Sequence, residues 1–367
     1  MRPLKQVKLI VSILALVEVC MTITSCQITY ASDIVQETAN SYIMPQNGFL
    51  RIPVNVRGNG GDVANTGIST RINPSSVGIL WQTSPNLIVL GEIGMDKKVN
   101  IISSSKSGNA VIAAYSGEHQ TGNILWSWHI WVTDYNPDTG KTCTIINTAG
   151  ASYTFMDRDL GATTSTPGLS TTLGLLYQWG RKDPFPRSYS AFPDIEPILY
   201  NVFGIGDISI ITKESVSEVF NLKNTIMHPL TFYTGSDWYS TSIHNDALWG
   251  GADIRRPSAK TIFDPCPAGW RVPPWKGSAS PWSAFTTENF LWSDKDQGRT
   301  YNGAFYPSSD MQYGVYGALS SVGFRDRYWS AASYCNTGYY LLFNKFGVDP
   351  QHNTSKSFGF SVRCVKN

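Results

Sequence analysis

Ile124-Leu125-Trp126-Ser127-Trp128-His129-Ile130-Trp131-Val132 decides how the first half of the chain is read. In an extended strand side chains alternate, so Trp126, Trp128, Ile130 and Val132 share one face. Ser127, His129 and Trp131 share the other. Tryptophans at alternate positions can form a sugar-stacking platform, but in a strand they more often pack as sheet core, and core is the reading we adopt. Upstream, Leu50, Ile52, Val54 and Val56 alternate with Arg51, Pro53 and Asn55, again a strand with one buried face. Short apolar runs recur at 79–81, 87–90, 99–102 and 110–115. Gly58-Asn59-Gly60-Gly61 and Ser107-Gly108-Asn109 are turn signals between them. No stretch here has helical periodicity, so residues 41–135 are expected to form a small all-β sandwich. Asn136-Pro137-Asp138-Thr139-Gly140 is a turn cluster and sets the expected domain boundary at 136–141.

The N-terminus has the order of a secretory signal. Arg2, Lys5 and Lys8 precede an apolar run over 9–19 that is too short to span a bilayer, and small residues follow. Ile23-Thr24-Ser25-Cys26 resembles a bacterial lipobox, which implies cleavage after residue 25 and a lipid on Cys26. Residues 1–25 are then the signal peptide and 26–40 a polar tether.

Composition narrows the function classes. Charged residues are 15% of the chain and the net charge is +2, with no basic cluster beyond the signal. Nucleic acid, which demands a concentrated positive footprint, is not an expected partner. The membrane is expected to be contacted through the lipid alone, because the longest later apolar stretch, 198–211, is broken by Asn201, two glycines and Asp207. Four cysteines remain in the exported portion, Cys143, Cys266, Cys335 and Cys364; an even number permits disulfides, and free buried thiols are the alternative.

Residues 142–367 are irregular and rich in glycine and aromatics. Two short helices are expected. One spans about 170–179, with Leu173, Leu176 and Tyr177 on one face and Gly180 closing it. The other starts at Ser280 with Pro281 in first position, followed by Trp282, Phe285 and Phe290. Short strands are expected at 324–330 and 338–343.

Five strings stand out in this half: Met156-Asp157-Arg158-Asp159-Leu160-Gly161-Ala162, then Leu176-Tyr177-Gln178-Trp179-Gly180-Arg181-Lys182-Asp183-Pro184-Phe185-Pro186, then Phe263-Asp264-Pro265-Cys266-Pro267-Ala268-Gly269-Trp270-Arg271-Val272-Pro273, then Tyr328-Trp329-Ser330, and finally Gly359-Phe360-Ser361-Val362-Arg363-Cys364-Val365. In this order they resemble the Fibrobacter succinogenes major paralogous domain of Bacteroidota surface lipoproteins. That family is similar in fold to C-type lectin domains and to the formylglycine-generating enzyme. The resemblance implies an α+β, C-type-lectin-like body over 142–367 with few regular elements and many loops, and it makes residues 41–135 a fimbrillin-like or immunoglobulin-like module. It also implies a disulfide between Cys266 and Cys364, which both sit in family motifs. Cys335 with Cys364, leaving Cys143 to Cys266, is the competing pairing, and four free thiols the third possibility.

No catalytic constellation is apparent. His119, His129, His228, His244 and His352 are scattered, and no zinc-ligand spacing, nucleophile elbow, P-loop or dinucleotide fingerprint occurs. The Glu-Pro-Asn, Gln-Pro-Asp and Trp-Asn-Asp strings of calcium-dependent lectins are missing too, so neither metal nor cofactor is expected. Asp157, Arg158 and Asp159 are read as internal pairing, Arg181, Lys182 and Asp183 as a surface or half-buried cluster. Arg271 and Arg363 are expected to pair with carboxylates or backbone carbonyls. The segment 325–354 has the Tyr, Asn, Ser and Gly bias of a binding face. Its candidate ligand residues are Arg325, Asp326, Tyr328, Tyr334, Asn336, Tyr339 and Asn344.

The expected protein is a non-catalytic adhesion or ligand-binding lipoprotein, a fimbrial tip or accessory subunit anchored at the outer membrane and cell surface. Its partners would be a surface glycan or protein and, in a pilus, other fimbrial subunits. An exported enzyme on the formylglycine-generating scaffold, with Cys335 reactive, is the reading from a different class. A carbohydrate receptor unrelated to pili is a third.

Overall fold

A computed structural model describes residues 37–187, 197–217, 221–251, 258–309, 311–320 and 322–367. The expected signal peptide, Cys26 and the expected tether up to residue 36 lie outside the described residues. The fold is mostly β-sheet with almost no helix.

The first half supplies β1 (Ser41–Met44), β2 (Phe49–Pro53), β3 (Ser76–Gln82), β4 (Ile88–Ile93), β5 (Lys98–Ser103), β6 (Gly108–Tyr115) and β7 (Ile124–Val132). The second half continues with β8 (Thr142–Ile146), β9 (Ser152–Met156), β10 (Leu176–Gln178), β11 (Leu199–Tyr200) and β12 (Gly206–Asp207). One sheet runs β1-β7-β6-β3-β11-β12, with β1 parallel to β7; the second runs β2-β5-β4. Leu50, Ile52, Val99 and Ile101 of the smaller sheet and Ile112, Trp128 and Ile130 of the larger one belong to one buried core. The alternation at 50–56 thus marks the inward face, as expected.

All three tryptophans of β7 are buried, on both faces of the strand. Burying a tryptophan of ~200 Å² stabilises by up to about 5 kcal/mol. The second face is covered by the second half of the chain. Ser127 Oγ donates to Asp183 Oδ1 at 2.6 Å, and Trp131 Nε1 to the Ala162 carbonyl at 3.1 Å. Asn40 Nδ2 donates to the carbonyls of Ile262 (2.6 Å) and Asp264 (2.8 Å), and Ser41 Oγ to that of Pro265 (2.6 Å). Residues 37–367 therefore form one compact unit. The Asn136–Gly140 turn is present, closed by the Gly140 amide on the Asn136 carbonyl at 2.7 Å. It joins two halves that both contribute buried residues to one core.

Both expected helices are absent. Residues Ser170–Thr172 form a single 3-10 turn, and β10 takes Leu176–Gln178. The Leu175 and Leu176 amides bond to the carbonyls of Leu160 and Phe185 instead of those four residues back. A Cβ on Gly174 would lie 2.5 Å from the Leu160 oxygen, so only glycine admits this approach. After Ser280 the first bonds are of i,i+3 type, from Ser283 to Ser280 and from Phe285 to Trp282, and a single i,i+4 bond follows from the Phe290 amide to the Thr286 carbonyl. Phe285 and Phe290 then meet with ring centroids 4.4 Å apart, a pairing at i,i+5 that no α-helix places on one face. The helix observed among the described residues is α1 (Leu222–Met227). No described helix is long and apolar enough to cross a membrane.

Most of the expected charge pairing lies deeper than the sequence suggested. Arg181, Lys182 and Asp183 are buried, correcting the surface or half-buried reading. Lys182 Nζ lies 2.5 Å from both Asp183 Oδ1 and Ser127 Oγ and 4.4 Å over the Trp126 ring. Burial lowers its pKa to about 8 against the pull of Asp183. Arg271 donates to the carbonyls of Trp249, Gly250 and Ser258, as expected of an arginine among apolar neighbours. Cys266 and Cys364 are bridged, with Cα atoms 6.0 Å apart, while Cys143 and Cys335 are free.

Candidate ligand-binding site

A long hairpin, Arg325–Tyr334 with Thr337–Asn344, carries the candidate residues and pairs on its outer side with Val348–Ser355. Its register pairs Arg325 with Asn344 at one end and Tyr334 with Thr337 at the other. Ten residues at ~3.3 Å each put those ends roughly 30 Å apart. The seven candidates are therefore not one face.

Asp326 and Tyr328 are core residues. Asp326 accepts from the Arg327 amide at 2.6 Å, and burial pushes its carboxyl well above the usual range, Arg187 opposing. The Tyr328 hydroxyl donates to Asp159 Oδ2 at 2.9 Å. Asn344 holds the next turn, its Oδ1 accepting from the amides of Phe346 (2.7 Å) and Gly347 (2.9 Å). Arg325 lies at that same end, far from the tip. Only Tyr334, Asn336 and Tyr339 come together, at or beside the hairpin turn.

The tip is fixed from below. Cys335, first of the two loop residues, has φ 53°, a left-handed position where hairpins usually place glycine. Its amide donates to Asp246 Oδ2 at 3.1 Å. Asp246 Oδ1 accepts from Ser333 Oγ at 2.8 Å and Lys356 Nζ at 2.6 Å. Lys356 also donates to the Asn245 carbonyl (3.1 Å) and sits 4.4 Å over the Trp179 ring, its amide bonding the Asn336 carbonyl at 3.0 Å. Burial lowers the Lys356 pKa, and Asp237 and Asp246 oppose that shift. Asp237 is pushed up by its own burial and bonds His244 Nδ1 at 2.9 Å.

Lys356 thus offsets the carboxylates beneath the tip, and the groups facing out are uncharged. Tyr334 is 68% exposed, with Asn336 and Tyr339 half-buried beside it. Tyr339 packs on Trp275 at 5.0 Å, and Trp275 Nε1 donates to Ser330 Oγ at 3.0 Å, which stiffens the platform. Two tyrosines and an amide on a rigid turn can stack on a ring and exchange hydrogen bonds with a neutral ligand. No group of described residues has the histidine, cysteine and carboxylate make-up of a metal site.

Compared with known proteins, the chain matches no family model, no curated protein and no solved structure.

Sequence reading missed Asp237, His244, Asp246 and Lys356. Lys356 and Asp246 are 110 positions apart, and neither has a local pattern that announces the other. The available hint was Lys356 itself, a charge three residues before the apolar Gly359-Phe360 string.

Proposed function

We propose that this protein is a non-catalytic surface-binding lipoprotein that engages a neutral glycan or protein ligand through the Tyr334–Asn336–Tyr339 tip. The observation that carries the reading is the braced turn: an exposed tyrosine whose loop is held by Asp246 and Lys356. A preorganised aromatic anchor binds with little ordering cost. The C-type-lectin-like nature of residues 142–367, the likeness to the Fibrobacter paralogous domain, the lipid on Cys26 and a place at a fimbrial tip or as an accessory adhesin at the outer membrane belong to this reading. The five motif strings and the lipobox support them.

Glycan and surface-protein arrays probed with the 37–367 unit test it. Binding that Tyr334→Ala and Tyr339→Ala each weaken at least about tenfold is the expected result, the scale of losing a binding hot spot. Binding indifferent to both changes, or turnover of an array ligand abolished by Cys335→Ser, would sink it.

A further inference from the structure

Among the described residues, three lysines meet an aspartate while their own side chains are buried: Lys182 with Asp183, Lys260 with Asp264, and Lys356 with Asp246. An amine and a carboxyl held in such a contact can lose water and join as an amide. Well-oriented groups react as though at concentrations of about 10⁵–10⁸ M. Two of the pairs are unsuited to it. Lys182 and Asp183 are neighbours in the chain, so an amide between them would close a strained medium ring. Lys260 lies 3.6 Å from Asp264 and directs Nζ protons to the carbonyls of Cys266 (2.6 Å), Pro267 (2.8 Å) and Trp270 (2.6 Å), which hold it as an ammonium with no lone pair to attack.

Lys356 is placed differently. Its side chain is fully buried, the Trp179 ring covers Nζ at 4.4 Å, and Asp246 Oδ1 lies 2.6 Å away. The Asp246 carboxyl is polarised by two further donors, Ser333 Oγ on Oδ1 at 2.8 Å and the Cys335 amide on Oδ2 at 3.1 Å. A backbone amide at that oxygen sits where negative charge gathers when an amine adds to Cγ. A second carboxyl completes the site. Asp237 is fully buried, acts on Lys356 more strongly than Asp246 does, and is fixed by the Tyr239 amide and His244 Nδ1, both at 2.9 Å. Burial raises the Asp237 pKa and lowers that of Lys356, which favours the neutral acid and the neutral amine that condensation needs.

We infer that Lys356 and Asp246 condense after folding into an amide cross-link, with Asp237 carrying the protons. Nζ gives one proton to Asp237, directly or over one water, and its lone pair adds to Cγ while an electron pair moves onto Oδ2 beside the Cys335 amide. Asp237 hands that proton to Oδ1, takes a second from the nitrogen and hands it on as well. The Cγ–Oδ1 bond then breaks, the pair on Oδ2 re-forms the carbonyl, and water leaves on the side where Asp246 is 28% exposed. An ammonium and a carboxylate become an amide and one water, and no oxidant or other co-reactant enters. The bond ties positions 110 apart beneath the Tyr334 turn, and it forms whatever that turn binds.

Protease digestion and mass mapping of the purified full-length protein test the cross-link. A branched peptide joining the Lys356 and Asp246 fragments, one water lighter than their sum, is expected. Lys356→Met and Asp237→Asn should each yield linear fragments only. The unaltered protein decides first, so the outcome does not hang on whether a variant folds. Three results would overturn the inference: linear fragments of full mass from the unaltered protein, a lost water located in a cyclic imide at Asp246–Ala247 with no branch, or a branched peptide that survives Asp237→Asn.

Discussion

Arg363 and Asp159 are joined inside the protein, 204 residues apart in sequence, with Nε and Nη2 at 2.8 and 2.6 Å from one carboxylate oxygen. Tyr306 lies 3.8 Å beneath the guanidinium, and Tyr328 supplies a hydroxyl to the other oxygen. Burial disfavours the charge on Arg363, but Asp159, Tyr328 and Tyr306 together outweigh it and hold the pKa above the ordinary arginine value. Removing one partner leaves an uncompensated buried charge. Arg363→Met should cost about 3–5 kcal/mol in urea unfolding. A loss below about 1 kcal/mol would mean that water reaches the carboxylate.

His129 gives the fold a pH dependence. Its Nε2 lies 2.9 Å from Asn109 Oδ1 and its Nδ1 3.0 Å from Ser41 Oγ. Burial lowers its pKa to about 3, so it stays neutral when folded. An unfolded histidine titrates near ~6.5, so between the two values only the unfolded chain binds the proton. Stability therefore falls as pH drops through that window. From about pH 7.5 to about pH 4.5 the loss from this group is roughly 2–3 kcal/mol. His129→Gln should flatten the slope in unfolding curves across the window, and an unchanged slope would reassign it to other groups.

The thiols should react in three classes. Exposed Cys335 should alkylate at once in the native protein. Cys143 is buried, and burial raises its pKa, so it should react only after denaturation. Cys266 and Cys364 should need reductant as well. Their bridge closes a separation of 98 residues. Replacing both with serine should cost up to about 4–5 kcal/mol through the unfolded chain. Alkylation of all four without reductant would mean that the protein carries no bridge.

Anchoring is tested at Cys26. Cys26→Ala should move the protein from the membrane fraction to the soluble fraction, because each buried lipid methylene supplies about 0.8 kcal/mol of membrane affinity. Continued pelleting of that variant, together with no incorporated lipid in the unaltered protein, would remove the lipobox reading.

Much of the first half was legible because a sandwich strand writes its burial locally. Leu50 and Ile52 point inward for the reason their spacing suggests. What failed was local evidence with two meanings. Leu173, Leu176 and Tyr177 have helical spacing, yet a 3-10 turn followed by a strand yields it too, and the deciding contact was Gly174 against Leu160. Depth was also hidden: Lys182 looks like a surface charge until Ser127, 55 residues away, is seen beside it. At the candidate site, composition picked out exposed Tyr334 and half-buried Asn336 and Tyr339 but also swept in the buried Asp326 and Tyr328. Strand alternation carries the same tyrosine-rich string past both core and solvent, and composition does not record the turn.

The parallel pairing of β1 with β7 bears on mechanical load. On the proposed anchoring at Cys26 and ligand binding in the second half, load enters at the start of β1 and reaches the end of β7. The two strands are then drawn lengthwise past each other. Rungs spanning Ser41 to Met44 share that force simultaneously instead of opening in succession. Asn40 and Ser41 add side-chain bonds to the segment around Asp264, next to the Cys266 bridge, so tension enters the molecule beside a covalent cross-link.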